Sequence, residues 1–252
     1  DYNSPGLMAD VLRFATAVAA RYGDEPHILL EPFNESANMD DDWSSYGATV
    51  AQPCIDVIRG AHADNIICLG SPQWNRQFQG LLASPPADPL GRTALSLHVY
   101  PWHFESAIAF DEIYGELLAA FPAVMTEFGY QAGGDPWLIG NRETYAVPLL
   151  DYLAAHNVPA IAWVYSATWN PPLLEADGSL TDFGHLIQQR LGGADPLGTL
   201  AWMSAGTASA TANYGYDGAV PNLVDGDPET SCELNEAPGW IAITLPEPAR
   251  IA

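Results

Sequence analysis

The chain has 252 residues, of which 48% are hydrophobic and 11% aromatic, a composition typical of a packed globular protein. Its 31 acidic and 8 basic residues give a formal net charge of -23, which repels phosphate backbones and disfavours a nucleic-acid partner. No apolar run in the sequence approaches the ~20 residues that a membrane-spanning helix needs, so we expect no membrane partner.

Residues 1–191 alternate between amphipathic helices and short apolar runs. The first helix is predicted to begin at Pro5 with Ser4 as N-cap, and its apolar face is predicted to contain Leu7, Val11, Phe14, Val18 and Tyr22. Later helices are predicted around 46–62, 113–121, 143–156 and 181–191. Strands are predicted at 28–30, 66–69, 94–99, 123–125 and 160–163.

Apolar strands that alternate with helices indicate a parallel sheet. Such a sheet is either open and doubly wound or closed into an eight-stranded barrel. Because no strand is followed by a Gly-x-Gly-x-x-Gly turn, we favour the barrel over a nucleotide-binding sheet.

The composition changes after residue 192. Small and β-prone residues dominate from there, turn clusters appear, and 240–245 alternates like a strand. We therefore predict a domain at 1–192, a linker at 193–199 and an all-β segment at 200–252.

Two glutamates end strands of the predicted barrel. Glu35 closes the segment 31–35, and Glu127 closes 125–127 about three βα-units later. Catalytic side chains of such barrels cluster at the carboxyl ends of the strands, so both carboxyls are expected at the same mouth. Hydrolysis of a glycosidic bond needs one carboxyl that protonates the leaving oxygen and a second that attacks or activates water.

Other strand-end residues point to the same face. His98 and Tyr100 are two residues apart and lie on one side of their strand. Trp163 ends the fifth predicted strand, where an indole would stack on a sugar ring. Loop tryptophans are costly to expose, and we expect Trp74 or Trp102 to line a sugar subsite.

These motifs resemble, in order and spacing, those of glycoside hydrolase family 5, the cellulase-like (β/α)8 barrels. The resemblance covers roughly 1–191 and rests on Asn34-Glu35, His98-x-Tyr100, Thr126-Glu127-Phe128-Gly129 and Trp163. It implies an α/β fold, a partial (β/α)8 TIM barrel whose visible strands match the family's fourth to eighth. We therefore expect the chain to be a fragment of a longer protein.

The resemblance also implies roles for the site residues. Glu35 would be the acid/base, and Glu127 would be the nucleophile of a retaining β-glycoside hydrolase acting on β-linked glucan or mannan. The supporting roles that it implies are a hydrogen bond to the sugar 2-hydroxyl for Asn34, a hydrogen bond to the nucleophile for Tyr100, a place on the site wall for His98 and a sugar platform for Trp163.

The last segment resembles the first third of a discoidin-like jelly roll (factor 5/8 C-type), the fold of family 32 carbohydrate-binding modules. In that fold a turn like 225–230 often helps to bind a structural calcium ion. Here Asp227 and Thr230 would supply oxygen ligands, which suit calcium. A plain tight turn explains the same residues equally well.

We expect catalysis without a metal or organic cofactor, a β-linked glycan as partner, a monomer, and a secreted or cell-surface location that follows from the resemblance. Two alternatives stay open at this point. One is a non-catalytic carbohydrate-binding protein or an inactive fragment of such an enzyme. The other is a different barrel enzyme, although the sequence contains no lysine for a Schiff base.

Overall fold

The computed structural model describes residues 4–37, 42–192, 207–210 and 241–244. The chain divides into two compact units, Asp1–Leu186 and Ile187–Ala252. The predicted linker at 193–199 lies outside the described residues. Within those residues, no helix combines the length and the apolar character needed to cross a membrane.

The helices of the described residues are α1 (Pro5–Tyr22), α2 (Trp43–Tyr46), α3 (Gln52–Gly60), α4 (Pro72–Asn75), α5 (Ala107–Ala120), α6 (Val147–Ala155) and α7 (Asp182–Arg190). All five predicted helices have counterparts among them, and the short segments α2 and α4 are additional. Single π-helical turns, Gly47–Ala51 and Arg142–Ala146, precede α3 and α6. Pro148 lies in the first turn of α6, directly after the π-helical turn.

The first unit contains a parallel sheet with the order β1-β2-β3-β4. Its strands are β1 (Ile67–Leu69), β2 (Thr93–Val99), β3 (Ala123–Phe128) and β4 (Ala160–Ala162). The prediction of a parallel α/β fold is therefore confirmed. The strand predicted at 28–30 is wrong in extent, because only Leu30 pairs, through one parallel bridge to Ile67.

Helix α1 buries only part of the predicted face. Leu7 and Phe14 are 41% and 65% exposed, while Met8, Ala15 and Ala19 are buried. Helix α1 packs against α3, and the small alanine side chains allow the two backbones to approach closely. Of the predicted face, Leu7, Phe14 and Tyr22 are exposed while Val11 and Val18 are half-buried, so the prediction was wrong for the three bulkiest residues.

A register shift in β3 determines which way its polar residues point. Leu97 pairs with Met125, but His98 pairs with Glu127, so Thr126 is an extra residue in the ladder. A bulge of this kind interrupts the strict alternation of side chains between the two faces of a sheet. Thr126 contacts a side chain of β2, and so does Glu127. Strand β3 thereby supplies two successive polar groups to the same face.

In the second unit the structure describes two short strands after the last helix. β5 (Thr207–Ala210) pairs antiparallel with β6 (Ile241–Thr244), with Thr207 opposite Thr244. Both strands fall where the sequence predicted β structure. The proposed calcium ligands Asp227 and Thr230 lie outside the described residues, and the discoidin-like jelly roll stays a prediction.

Candidate active site

The candidate site lies where β2, β3 and the segment after Leu30 end. His98 is on β2 and Tyr100 directly follows it, while Glu127 is the next-to-last residue of β3. Glu35 follows Leu30 by five residues and has a φ of 39°. A non-glycine residue in this left-handed region is uncommon and is often found at functional sites. The chain thus turns sharply at the residue whose carboxyl the sequence singled out.

His98 lies between the two predicted catalytic carboxyls. Its Nδ1 is 2.9 Å from Glu35 Oε1 and 3.4 Å from Glu127 Oε2. The His98 side chain is 1% exposed, whereas those of Glu35 and Glu127 are 31% and 14% exposed. One oxygen of each carboxyl and one nitrogen of His98 lie within 4.8 Å of one another. The fold therefore brings together three residues that are far apart in the sequence.

Tyr100 completes this group from the end of β2. Its hydroxyl donates a hydrogen bond of 2.8 Å to Glu127 Oε2. Burial raises the pKa of the Glu127 carboxyl above its ordinary value, while the charge of His98 and the hydrogen bond from Tyr100 act in the opposite direction. Burial raises the pKa of Tyr100, and the charge of Glu127 raises it further. The hydroxyl therefore remains a donor at neutral pH.

An open cavity of about 720 Å³ adjoins Glu35, His98 and Tyr100. Trp74 and Trp102 both line it, so the structure places both predicted tryptophans at the site. Trp74, Arg76, Trp102, His103 and Trp137 also line the cavity, and we call these five residues the aromatic wall. The guanidinium of Arg76 lies 5.8 Å from the centre of the Trp74 ring. A wall of indoles with a few polar groups is typical of a sugar-binding surface.

Asn34 and Trp163 are near this group but do not line the cavity. Asn34 directly precedes Glu35 and is exposed. Trp163 follows β4, and its backbone N–H donates to the carbonyl of Phe128, next to Glu127. In the strand order, β3 lies between β2 and β4. Trp163 therefore adjoins Glu127 on the side away from His98 and Tyr100.

A buried polar network beneath the carboxyls was not anticipated from the sequence. Glu31 Oε1 accepts hydrogen bonds from Ser96 Oγ (2.6 Å) and Asn75 Nδ2 (3.1 Å). Ser96 Oγ is also 2.5 Å from Thr126 Oγ1. Asn75 and Ser96 are both 0% exposed. The sequence did contain one signal for this network. Ser96, His98 and Tyr100 are spaced two residues apart, which places them on one face of their strand, and Glu31 precedes Glu35 by four residues.

Glu35, His98 and Glu127 are also the described residues whose spacing would suit a metal ion. However, His98 Nδ1 is already within hydrogen-bonding distance of Glu35. The hydrogen bonds account for the geometry of the three side chains without an ion.

Comparisons with known proteins agree on one family. The cellulase family, glycosyl hydrolase family 5, matches residues 8–168. Endoglucanase CelA of Streptomyces lividans is 26% identical over 203 residues, which cover 74% of this chain and 42% of that protein. Endoglucanase Z of Dickeya dadantii is 29% identical over 94 residues, which cover 36% of this chain and 21% of that protein. The chain thus spans less than half the length of these relatives.

A solved structure has the same fold over most of the chain. The β-glucanase SdGluc5_26A of Saccharophagus degradans, in complex with cellotetraose, superposes with a TM-score of 0.67 at 18% identity. The likeness covers 74% of this chain and 60% of that one. The family match spans more than half of the chain and includes every residue of the candidate site. The chain therefore belongs to the cellulase family, glycosyl hydrolase family 5.

Proposed function

We propose that the chain is the catalytic region of a retaining glycoside hydrolase that cuts a β-linked glucan or mannan. The observation that carries the proposal is the carboxyl pair, because oxygens of Glu35 and Glu127 lie within 4.8 Å of one another. Retaining enzymes place their two carboxyl groups ~5–5.5 Å apart, whereas inverting enzymes need ~6.5–9.5 Å to admit a water molecule. The endoglucanase relatives and the cellotetraose complex of the similar β-glucanase support a β-glucan as substrate.

The surroundings of the two carboxyls support different roles for them. Glu35 lines the open cavity beside the aromatic wall, where a leaving sugar would be bound. Glu127 is more enclosed and accepts the hydrogen bond of Tyr100, which opposes the effect of burial on its pKa by stabilising the carboxylate that a nucleophile needs. We therefore assign Glu35 as acid/base and Glu127 as nucleophile.

The reaction follows from these roles in two steps. In the first, a carboxylate oxygen of Glu127 bonds to the anomeric carbon while the glycosidic C–O bond breaks, and Glu35 gives its proton to the departing oxygen. In the second, Glu35 takes a proton from water, and the hydroxide attacks the anomeric carbon and releases Glu127. Trp163 is proposed as the platform under the reacting sugar, and Asn34 as donor to its 2-hydroxyl. A polymeric substrate also fits the proposed secreted or cell-surface location.

Azide rescue tests both assignments. With 2,4-dinitrophenyl β-cellobioside, Glu127→Ala should lose turnover, and added azide should restore it with formation of the α-glycosyl azide. Glu35→Ala should keep the first step on this activated substrate, and azide should give the β-glycosyl azide. Glu116→Ala, an exposed glutamate of α5, is the matched control and should behave as the unchanged protein.

Two results would contradict the proposal. If Glu127→Ala kept full activity, Glu127 would not be the nucleophile. If the unchanged protein bound cello-oligosaccharides with no turnover of any aryl β-glycoside, the non-catalytic carbohydrate-binding alternative would replace the proposed activity.

A further inference from the structure

Glu31 has no role in the two reaction steps, yet it is the acceptor at the centre of the buried polar network. Its Oε1 accepts hydrogen bonds from Ser96 Oγ and Asn75 Nδ2 and lies 4.0 Å from His98 Nε2. That nitrogen of His98 is buried and has no hydrogen-bond partner in the described residues. Glu31 is thus the nearest described anion to the face of His98 that points away from Glu35.

The network joins residues that are next to each part of the site. Asn75 directly follows Trp74 of the aromatic wall, and Thr126 directly precedes Glu127. Ser96 lies two residues before His98 on the same face of β2. The network in which Glu31 accepts hydrogen bonds therefore joins the turn after β1 to strand β2 and, through Ser96, to strand β3.

The backbone at Asn75 shows why these hydrogen bonds are needed. Gln73, Trp74 and Asn75 have φ values of 55°, 56° and 57°. For L-residues this left-handed conformation is unfavourable, and Asn tolerates it better than most residues. The conformation persists only where the surroundings hold it. Here Asn75 is held through Glu31, Ser96 and the N–H of Ser71, which donates to Asn75 Oδ1.

We propose that Glu31 is a positioning residue of the active site, acting through Asn75 and Thr126 on the aromatic wall and the nucleophile, and through its charge on His98 and Glu127. This inference depends on the proposed function only where it calls Glu127 the nucleophile. The geometry of the network is independent of which glycan is cut.

The charge of Glu31 has a defined sign of effect on Glu127. The groups that act on the Glu127 carboxyl are His98 and Tyr100, which lower its pKa, and Glu35 and Glu31, which raise it together with burial. Glu31 also faces Cys68 of β1. Burial, with a smaller contribution from the charge of Glu31, raises the pKa of the Cys68 thiol to about 12, so this thiol stays neutral. Removal of the Glu31 charge therefore lowers the pKa of Glu127.

The test compares Glu31→Gln, Glu31→Ala and Glu112→Gln in the full chain. Gln keeps a carbonyl oxygen that accepts from Ser96 and Asn75, whereas Ala removes it. Glu112 is an exposed glutamate of α5 and controls for the lost charge. The first readout is a 13C NMR titration of the Glu127 carboxyl. We expect its midpoint to move to lower pH in Glu31→Gln and to stay in place in Glu112→Gln.

The second readout is kcat/KM on an aryl β-cellobioside. We expect Glu31→Ala to lose more than about tenfold, and Glu31→Gln to recover most of that loss with its acid limb shifted to lower pH. An unchanged Glu127 midpoint in Glu31→Gln, or equal activity in Glu31→Ala and the unchanged protein, would overturn the proposal. If the chain hydrolysed no glycoside, the proposed function would fail while the NMR titration still decided the role of Glu31. If Glu31→Ala did not fold, the titration of Glu31→Gln would decide it.

Discussion

The hydrogen bond from Tyr100 to Glu127 gives a prediction whose size follows from the structure. Tyr100→Phe removes one hydroxyl and keeps the ring. The bond is 2.8 Å long, ends on a partly buried carboxyl and is charge-assisted when Glu127 is ionised. Hydrogen bonds to charged groups contribute about 1.5–3 kcal/mol. We therefore expect kcat/KM on an aryl β-cellobioside to fall by roughly ten- to a hundredfold.

The pH profile provides the sharper measurement of the same change. The hydroxyl of Tyr100 lowers the pKa of Glu127 by stabilising the carboxylate, in opposition to burial. Without it the pKa of Glu127 rises further, and the acid limb of kcat/KM should move to higher pH. This direction is opposite to the one expected for Glu31→Gln, so the two variants check each other.

Tyr152→Phe is the matched control for this prediction. Tyr152 also donates to a carboxylate, Asp111 Oδ1 at 2.6 Å, but this pair joins α5 and α6. We expect the acid limb of kcat/KM in Tyr152→Phe to stay at the same pH as in the unchanged protein. An unmoved acid limb in Tyr100→Phe, or an equal shift in both variants, would refute the reasoning.

Three further substitutions test residues that support or line the site. Asp88→Asn should lower the free energy of unfolding by ~3–5 kcal/mol in chemical denaturation, because it leaves the buried Arg59 guanidinium without its anion. Arg59 holds the pKa of Asp88 at about 2, below the ordinary 3.8, so the stabilisation by this pair should be present above pH 4 and be lost as the pH falls through 2. Gly129→Ala should cost ~1–3 kcal/mol in the same assay, because its Cβ would meet the Trp163 carbonyl oxygen at 2.5 Å. Trp102→Ala should raise KM for cellotetraose about five- to tenfold, the loss of one stacking contact, with little change in stability.

Each of these changes has a control in the same chain. Asp64→Asn breaks only an exposed ion pair and should cost less than ~1 kcal/mol. Gly133→Ala adds a methyl group where no atom lies within 4 Å, and Phe14→Ala removes an exposed aromatic ring from α1. Equal losses in a variant and its control would contradict the corresponding prediction.

The strand positions were predictable because their apolar runs need no distant information. The runs at 66–69, 94–99, 123–125 and 160–163 each overlap an observed strand. The buried face of α1 was not predictable from periodicity. In an alanine-rich helix the bulky stripe and the small stripe are both consistent with burial, and close packing on α3 selects Ala15 and Ala19.

The candidate site was predictable where single residues end strands. Glu35, His98, Tyr100 and Glu127 were all identified in this way, and the structure brings them together. The network under them depends on the extra residue Thr126 in β3 and on the left-handed turn after β1. Neither feature has a pattern in the linear sequence, since both are stabilised by contacts between distant segments.

The carboxyls around His98 also bear on the kind of molecule that would inhibit the site. Glu31, Glu35 and Glu127 surround one imidazole, so their charges exceed that of His98 even when the ring is protonated. A sugar becomes positively charged at its anomeric centre only on the way to bond cleavage, and the cluster favours that charge. An iminosugar, which carries a protonated nitrogen in its ring, has the charge from the outset. We expect it to bind more tightly than a neutral sugar of the same shape, and to lose this advantage at low pH as the carboxylates become protonated.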